Sequence, residues 1–153
     1  HSRALAIELG KRMQAKRPEI AIAADIIAGF ATETEAMFAN SIDLVRQCNI
    51  VHGHIFPYSP KNGTPAALMP QVAGLAIKGR AKALREAVAV QRAGWLTSLV
   101  GSTQKIAVEM GGQSGHAENF AYVKLDKQIA EGSIVAAKVT DVKDGALLAE
   151  VLA

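Results

Sequence analysis

One cysteine, Cys48, stands in 153 residues, and that scarcity rules out an internal disulfide and any iron-sulfur or zinc site built from this chain's thiols alone. The surrounding apolar helical pattern makes Cys48 a small buried hydrophobe. Long apolar runs are missing too. None approaches the roughly 20 residues that cross a bilayer, and no basic-then-apolar leader opens the chain, so the expected address is cytoplasmic, with no membrane partner. Histidine is also sparse, at four residues. His52 and His54 form an i, i+2 pair with no third ligand in view, and a structural role outweighs metal ligation for them.

A 50% hydrophobic and 20% charged composition reads as globular. The net charge of +3 is unevenly spread: residues 1–96 hold 12 Lys/Arg against 7 Asp/Glu, and residues 97–153 hold 5 against 7. Polyanion binding through charge therefore belongs to the first part, and any nucleic-acid role of the second rests on shape and stacking. The chain opens on His1 inside a helical pattern (Leu5, Leu9, Met13), which gives the expectation of a piece of something longer.

Ile20 to Ala28 is apolar except for Asp25, as in a strand of a parallel sheet. Alternation puts Ile20, Ile22 and Ile26 on one face and Ala21, Ala23, Asp25, Ile27 and Gly29 on the other. Thr32 and Glu35 form a capping box for a helix through Phe38, Ile42, Val45 and Cys48 that ends near Asn49. Ile50 to Tyr58 is the next strand, with His52, His54, Phe56 and Tyr58 on one face. Helix, strand, helix, strand in this order implies parallel pairing. Pro57, Pro60 and Pro65 then make a rigid loop that neither continues the strand nor starts a helix, at the strand end where α/β sheets bind ligands. Asp25, Ile27 and Gly29, with His52, His54, Phe56 and Tyr58 of the next strand, would line a pocket mouth there.

A long helix is expected from about Val72 to Leu96, with Ile77, Ala81, Leu84, Val88 and Trp95 as its apolar seam. Beside it runs a basic stripe, Lys78, Lys82, Arg85 and Arg92. Singly these are solvated surface charges; as a stripe they suit phosphate contact. From Thr103 the period becomes two, with Ile106, Val108 and Met110 alternating against Lys105, Ala107 and Glu109. Strands at 117–125, 133–142 and 146–152 then suggest a small antiparallel OB-like barrel. Ala121, Val123 and Leu125 would point inward, leaving Phe120, Tyr122 and Lys124 outward for base stacking and phosphate contact, unless the aromatics simply cover the barrel.

Three ordered stretches, DIIAGFATET, FPYSPKNGTPAA and GGQSGHAENF, resemble the C-terminal part of the radical S-adenosylmethionine tRNA methylthiotransferases, in particular the threonylcarbamoyladenosine branch. The resemblance implies an α/β fold, with residues 1–96 as the end of a partial parallel (β/α) barrel and its linking helix, and residues 97–153 as an RNA-binding TRAM domain. It implies that Asp25, Ile27, Gly29, Phe56 and Tyr58 border S-adenosylmethionine. His116 and Asn119, after the glycine-rich hairpin of Gly111, Gly112 and Gly115, would reach RNA. The 4Fe-4S clusters and S-adenosylmethionine belong to a full-length parent whose cluster cysteines are absent here, so this chain alone is expected to be inactive and to carry no cofactor. The implied partners are tRNA and the missing N-terminal part, and two strands alone leave sheet edges through which the chain would self-associate. The sequence departs from the family at Ala31-Thr32, where a Pro-Gly pair is usual, and at Lys61-Asn62, where Arg-Pro is usual; Lys61 gives up a planar bidentate donor. Two other readings stay open: a stand-alone RNA-binding module, and a methylthiotransferase acting on a ribosomal protein.

Overall fold

Caps and alternation turn this sequence into two compact units in a computed structural model that describes residues 2–152. His1 and Ala153, the outer limits of the two expected modules, lie outside the described residues. One unit comprises His1–Pro18 and Ile22–Arg92, the other Glu19–Ala21 and Ala93–Ala153.

The first unit begins with α1 (Arg3–Lys16), capped by the Ser2 hydroxyl, which accepts from the Leu5 N–H. Gly10 is buried against Ile22 and Cys48, whereas Leu5, Leu9 and Met13, the helical pattern seen in the sequence, face outward. Then follow β1 (Ile22–Ala28), α2 (Glu35–Gln47) and β2 (Ile50–Pro57), and β1 and β2 pair in parallel. A one-turn 3₁₀ helix, Pro65–Leu68, precedes α3 (Gly74–Ser98). Side chains of all three helices pack on one face of the strands, with Ile7, Ile22, Ile26, Val45, Ile55, Ala81, Leu84 and Val88 in a common core. Among the described residues no third strand joins this sheet.

Two local expectations are corrected. The helix cap is Thr34, whose hydroxyl accepts from the Met37 N–H at 3.2 Å. Thr32 instead sits in the left-handed region at φ +68° and donates its N–H to the Pro70 carbonyl, which removes it from the helix axis. Pro65, expected to exclude any helix, opens the 3₁₀ turn, because a first helical position has no use for the N–H that proline lacks.

The second unit is a closed barrel of β3 (Thr103–Val108), β4 (Ser114–Ala117), β5 (Tyr122–Leu125), β6 (Ile134–Lys143) and β7 (Ala146–Val151), in the order β3-β4-β5-β7-β6. Closure leaves no free sheet edge. Ile106, Val108, Val123, Ala137, Val139 and Leu147 fill its interior. The expected barrel was wholly antiparallel, but β5 and β7 run parallel. The single strand expected over 117–125 is two, β4 and β5, separated by a tight turn. Met110 is 87% exposed rather than a third inward residue, since the chain leaves the strand at Val108 and turns through Gly111 and Gly112 at φ +94° and +70°.

Candidate nucleic-acid interface

Alternation in β3 turns Ile106 and Val108 inward and so sends Lys105 and Ala107 to the outer face. The barrel's registers carry that parity across four strands. Ala107 lies opposite Ile134 of β6 and His116 of β4, and His116 lies opposite Tyr122 of β5. Ile134, Ala107, His116 and Tyr122 thus form one continuous outer row. His116 and Tyr122 have ring centroids 5.4 Å apart, and His116 Nδ1–H donates to Glu109 Oε1 at 2.7 Å. Lys124 is paired in register with Ser114 on the same surface.

Phe120 projects from the β4–β5 turn beside this row. The turn is pinned at its base, where the Phe120 N–H donates to the Ala117 carbonyl and the Ala117 N–H to the Ala121 carbonyl, both at 2.9 Å. Phe120 holds φ +62°, a conformation that costs a bulky L residue about 1–2 kcal/mol, and yet the residue is 74% exposed. The strain brings no burial in return. Asn119, expected to reach outward, accepts from the Ala121 N–H at 3.2 Å and points its amide nitrogen toward Gln104 Oε1 at 3.5 Å. It shapes the turn that presents Phe120.

Together Lys105, Ala107, His116, Glu118, Phe120 and Ile134 line a groove of about 500 Å³. Sequence reasoning missed Lys105, Glu118 and Ile134 as surface partners of Phe120. Ile134 shares its parity with Lys138 and opposes that of Val139 and Ala137, which is the signal that marks it as an outward apolar residue.

The expected pocket mouth in the first unit is an open sheet face. Asp25 lies opposite His54 and Ile27 opposite Phe56; Ile27 and Phe56 are each 52% exposed, and Asp25 is exposed as well. Gly29 is not on that surface. It is buried at φ +74°, where an added Cβ would lie 2.7 Å from Ile77 Cγ1, so glycine is there to let α3 approach. Tyr58 is half-buried, donates its N–H to the Ala28 carbonyl at 2.9 Å and meets the Phe30 ring edge-on at 5.0 Å.

The basic stripe divides. Arg85 donates to the Ile55 carbonyl at 3.2 Å and Arg92 Nη1 to His52 Nδ1 at 2.8 Å, so both lean onto β2. Lys78 and Lys82 remain exposed, Lys82 near Glu86 at 3.8 Å. His54 is exposed, and no group of three metal-ligating side chains occurs among the described residues. Burial pushes the Cys48 thiol pKa up, against a smaller opposing pull from Arg3, so the sulfur stays protonated.

Arg80 escaped the sequence reading. It is 7% exposed, donates to Glu33 Oε2 at 2.8 Å and to the Glu33 carbonyl at 2.9 Å, bonds Glu35 as well, and lies over the Phe38 ring at 5.5 Å. The same Glu33 oxygen accepts from the Gly29 N–H at 3.0 Å. One guanidinium therefore fixes the turn after β1. Its signal was positional, since Arg80 sits three residues after Ile77 and four before Leu84, on the apolar seam.

No family model matches the chain. Similarity to individual proteins is extensive. The chain is 41% identical over 145 residues, 95% of its length and 34% of the relative's, to the threonylcarbamoyladenosine tRNA methylthiotransferase MtaB of Rickettsia prowazekii. It is 38% identical over 100 residues, 65% of its length and 22% of the relative's, to the tRNA-2-methylthio-N(6)-dimethylallyladenosine synthase of Chromobacterium violaceum. With the protein of that name from Rickettsia rickettsii it is 29% identical over 160 residues, covering 99% of this chain and 36% of the relative. The chain spans about a third of the length of the two Rickettsia relatives and about a fifth of that of the Chromobacterium one.

Proposed function

The chain belongs by sequence to the tRNA methylthiotransferases, and from that kinship we propose that it serves as the tRNA-holding and cofactor-bordering portion of an enzyme that adds a methylthio group to a modified adenosine beside the anticodon. Threonylcarbamoyladenosine is the favoured substrate, because identity is higher with the relative named for that nucleoside, at 41%, than with the two named for dimethylallyladenosine, at 38% and 29%.

The observation that carries the RNA part is the outer row of the barrel, where Phe120, His116, Tyr122 and Lys124 share a surface. Exposed rings stack on unpaired bases of any sequence, and lysines beside them meet phosphates. This surface supports reading residues 97–153 as a TRAM domain. Lys78 and Lys82, exposed on α3 in the first unit, suit phosphate contact of their own.

For the cofactors the two halves of the expectation separate. The chain's residues do not fit an iron-sulfur cluster: its one thiol is buried and protonated, and three thiolates cannot be gathered from one cysteine. Bound S-adenosylmethionine would supply the radical chemistry of such an enzyme, and Asp25, Ile27 and Phe56 fit one wall for it, with a carboxylate beside apolar surface on an open sheet face. We infer that the chain by itself does not methylthiolate.

Binding of the 153-residue chain to a tRNA transcript, followed by fluorescence anisotropy at several salt concentrations, tests the RNA reading. The expected result is salt-sensitive binding that Phe120→Ala weakens about five-fold or more. Absence of binding to tRNA at low salt overturns it.

A further inference from the structure

The groove beside Phe120 has a chemistry more particular than general stacking. Its floor is Ala107, the smallest outward residue of β3, and its sides are the Phe120 ring and Ile134, both 74% exposed. Lys105 contributes an ammonium and Glu118 a carboxylate to the same rim, and both are exposed. A volume of about 500 Å³ takes one nucleotide. The hydrogen-bonded turn holds the backbone of Phe120 at φ +62°, so when a base settles on the ring only side-chain rotation is lost and not backbone freedom.

Charge selects the occupant. A groove lined only by cations would hold any phosphate, but a carboxylate repels phosphate and accepts hydrogen bonds from amines, as in glutamate recognition of the cytosine N4 amine. Uracil presents a carbonyl oxygen at the corresponding position and meets Glu118 with like polarity.

We propose that this groove is a single-nucleotide subsite for an unpaired RNA base bearing an exocyclic amine. The base stacks on Phe120 above Ala107, its amine faces Glu118, and its phosphate faces Lys105. This subsite rests on the RNA-binding reading above and adds base selectivity to it. Cytosine and uracil are the discriminating pair, being equal in size and differing at the edge that Glu118 reads.

The test titrates the full 153-residue chain with short oligo(rC) and oligo(rU) of equal length, together with Glu118→Gln and Ala107→Leu variants. Both altered side chains point to solvent, and thermal melts confirm that each variant stays folded. The expected result is a preference for rC of roughly five-fold or more, its collapse toward unity in Glu118→Gln, and loss of binding to both oligomers in Ala107→Leu. Equal binding of rC and rU, with neither variant changing it, overturns the subsite while leaving RNA binding intact. Failure to bind either oligomer or tRNA overturns the RNA reading and the subsite together.

Discussion

Arg80 shows how a single charge organises a strand end. Its guanidinium is buried with the Glu33 carboxylate, and Glu33 in turn holds the Gly29 N–H. Arg80→Ala leaves that carboxylate desolvated without a partner, a change that costs about 3–5 kcal/mol and is measured by urea unfolding. Glu35 also bonds Arg80, but its side chain lies in solvent, and Glu35→Gln is expected to cost less than about 1 kcal/mol. Equal losses for the two variants would contradict the assignment of Glu33 as the structural partner. Phe120 gives the opposite kind of prediction. Phe120→Gly relieves the left-handed strain and is expected to raise barrel stability by about 1 kcal/mol while weakening RNA binding. A variant that loses stability would show that the ring packs on the fold after all.

At the scale of elements, the approach of α3 to β2 depends on Gly53, where an added Cβ would lie 2.6 Å from Val88 Cγ2. Valine is stiff at χ1 and cannot swing clear, so Gly53→Ala is expected to cost about 1–3 kcal/mol by overpacking. Val88→Ala clears the space, and in that background Gly53→Ala is expected to cost markedly less, which a double-mutant cycle reads as coupling. Additive losses would place the strain elsewhere. The seam that makes this contact was legible because Ile77, Ala81, Leu84 and Val88 recur at helical intervals. The strands were legible by their alternation, down to the inward Val123 and outward Tyr122. What escaped were features set by tertiary partners: Thr32 leaves its helix to bond Pro70, Met110 lies past the strand end just before the turn at Gly111 and Gly112, and the chain between β4 and β5 folds into a turn whose hydrogen bonds are too local to leave a period. Arg80 was hidden because a cation on an apolar seam looks like an error until its carboxylate arrives from 47 residues away.

Over the whole molecule, charge and shape are divided between the two units. The first carries the cationic surplus and an open two-stranded sheet face; the second is a closed barrel with an acidic balance and an exposed aromatic row. That division suits the proposed RNA-binding role, in which cations attract a polyanion and exposed rings stack on unpaired bases. Alternation put Tyr122 and Lys124 on the outer face, where β5 has them; Phe120 shares that side although it stands in the β4–β5 turn at φ +62°, where strand parity no longer applies. Alternation left Lys105, Glu118 and Ile134 out because their company is set by strand register. Mass analysis of nucleosides in tRNA from cells lacking this coding sequence, compared with cells that retain it, decides whether the chain serves methylthiolation. The methylthio mark is expected to disappear and threonylcarbamoyladenosine lacking it to accumulate. Unchanged tRNA nucleosides, or loss of the mark from dimethylallyladenosine instead, would contradict the proposed function.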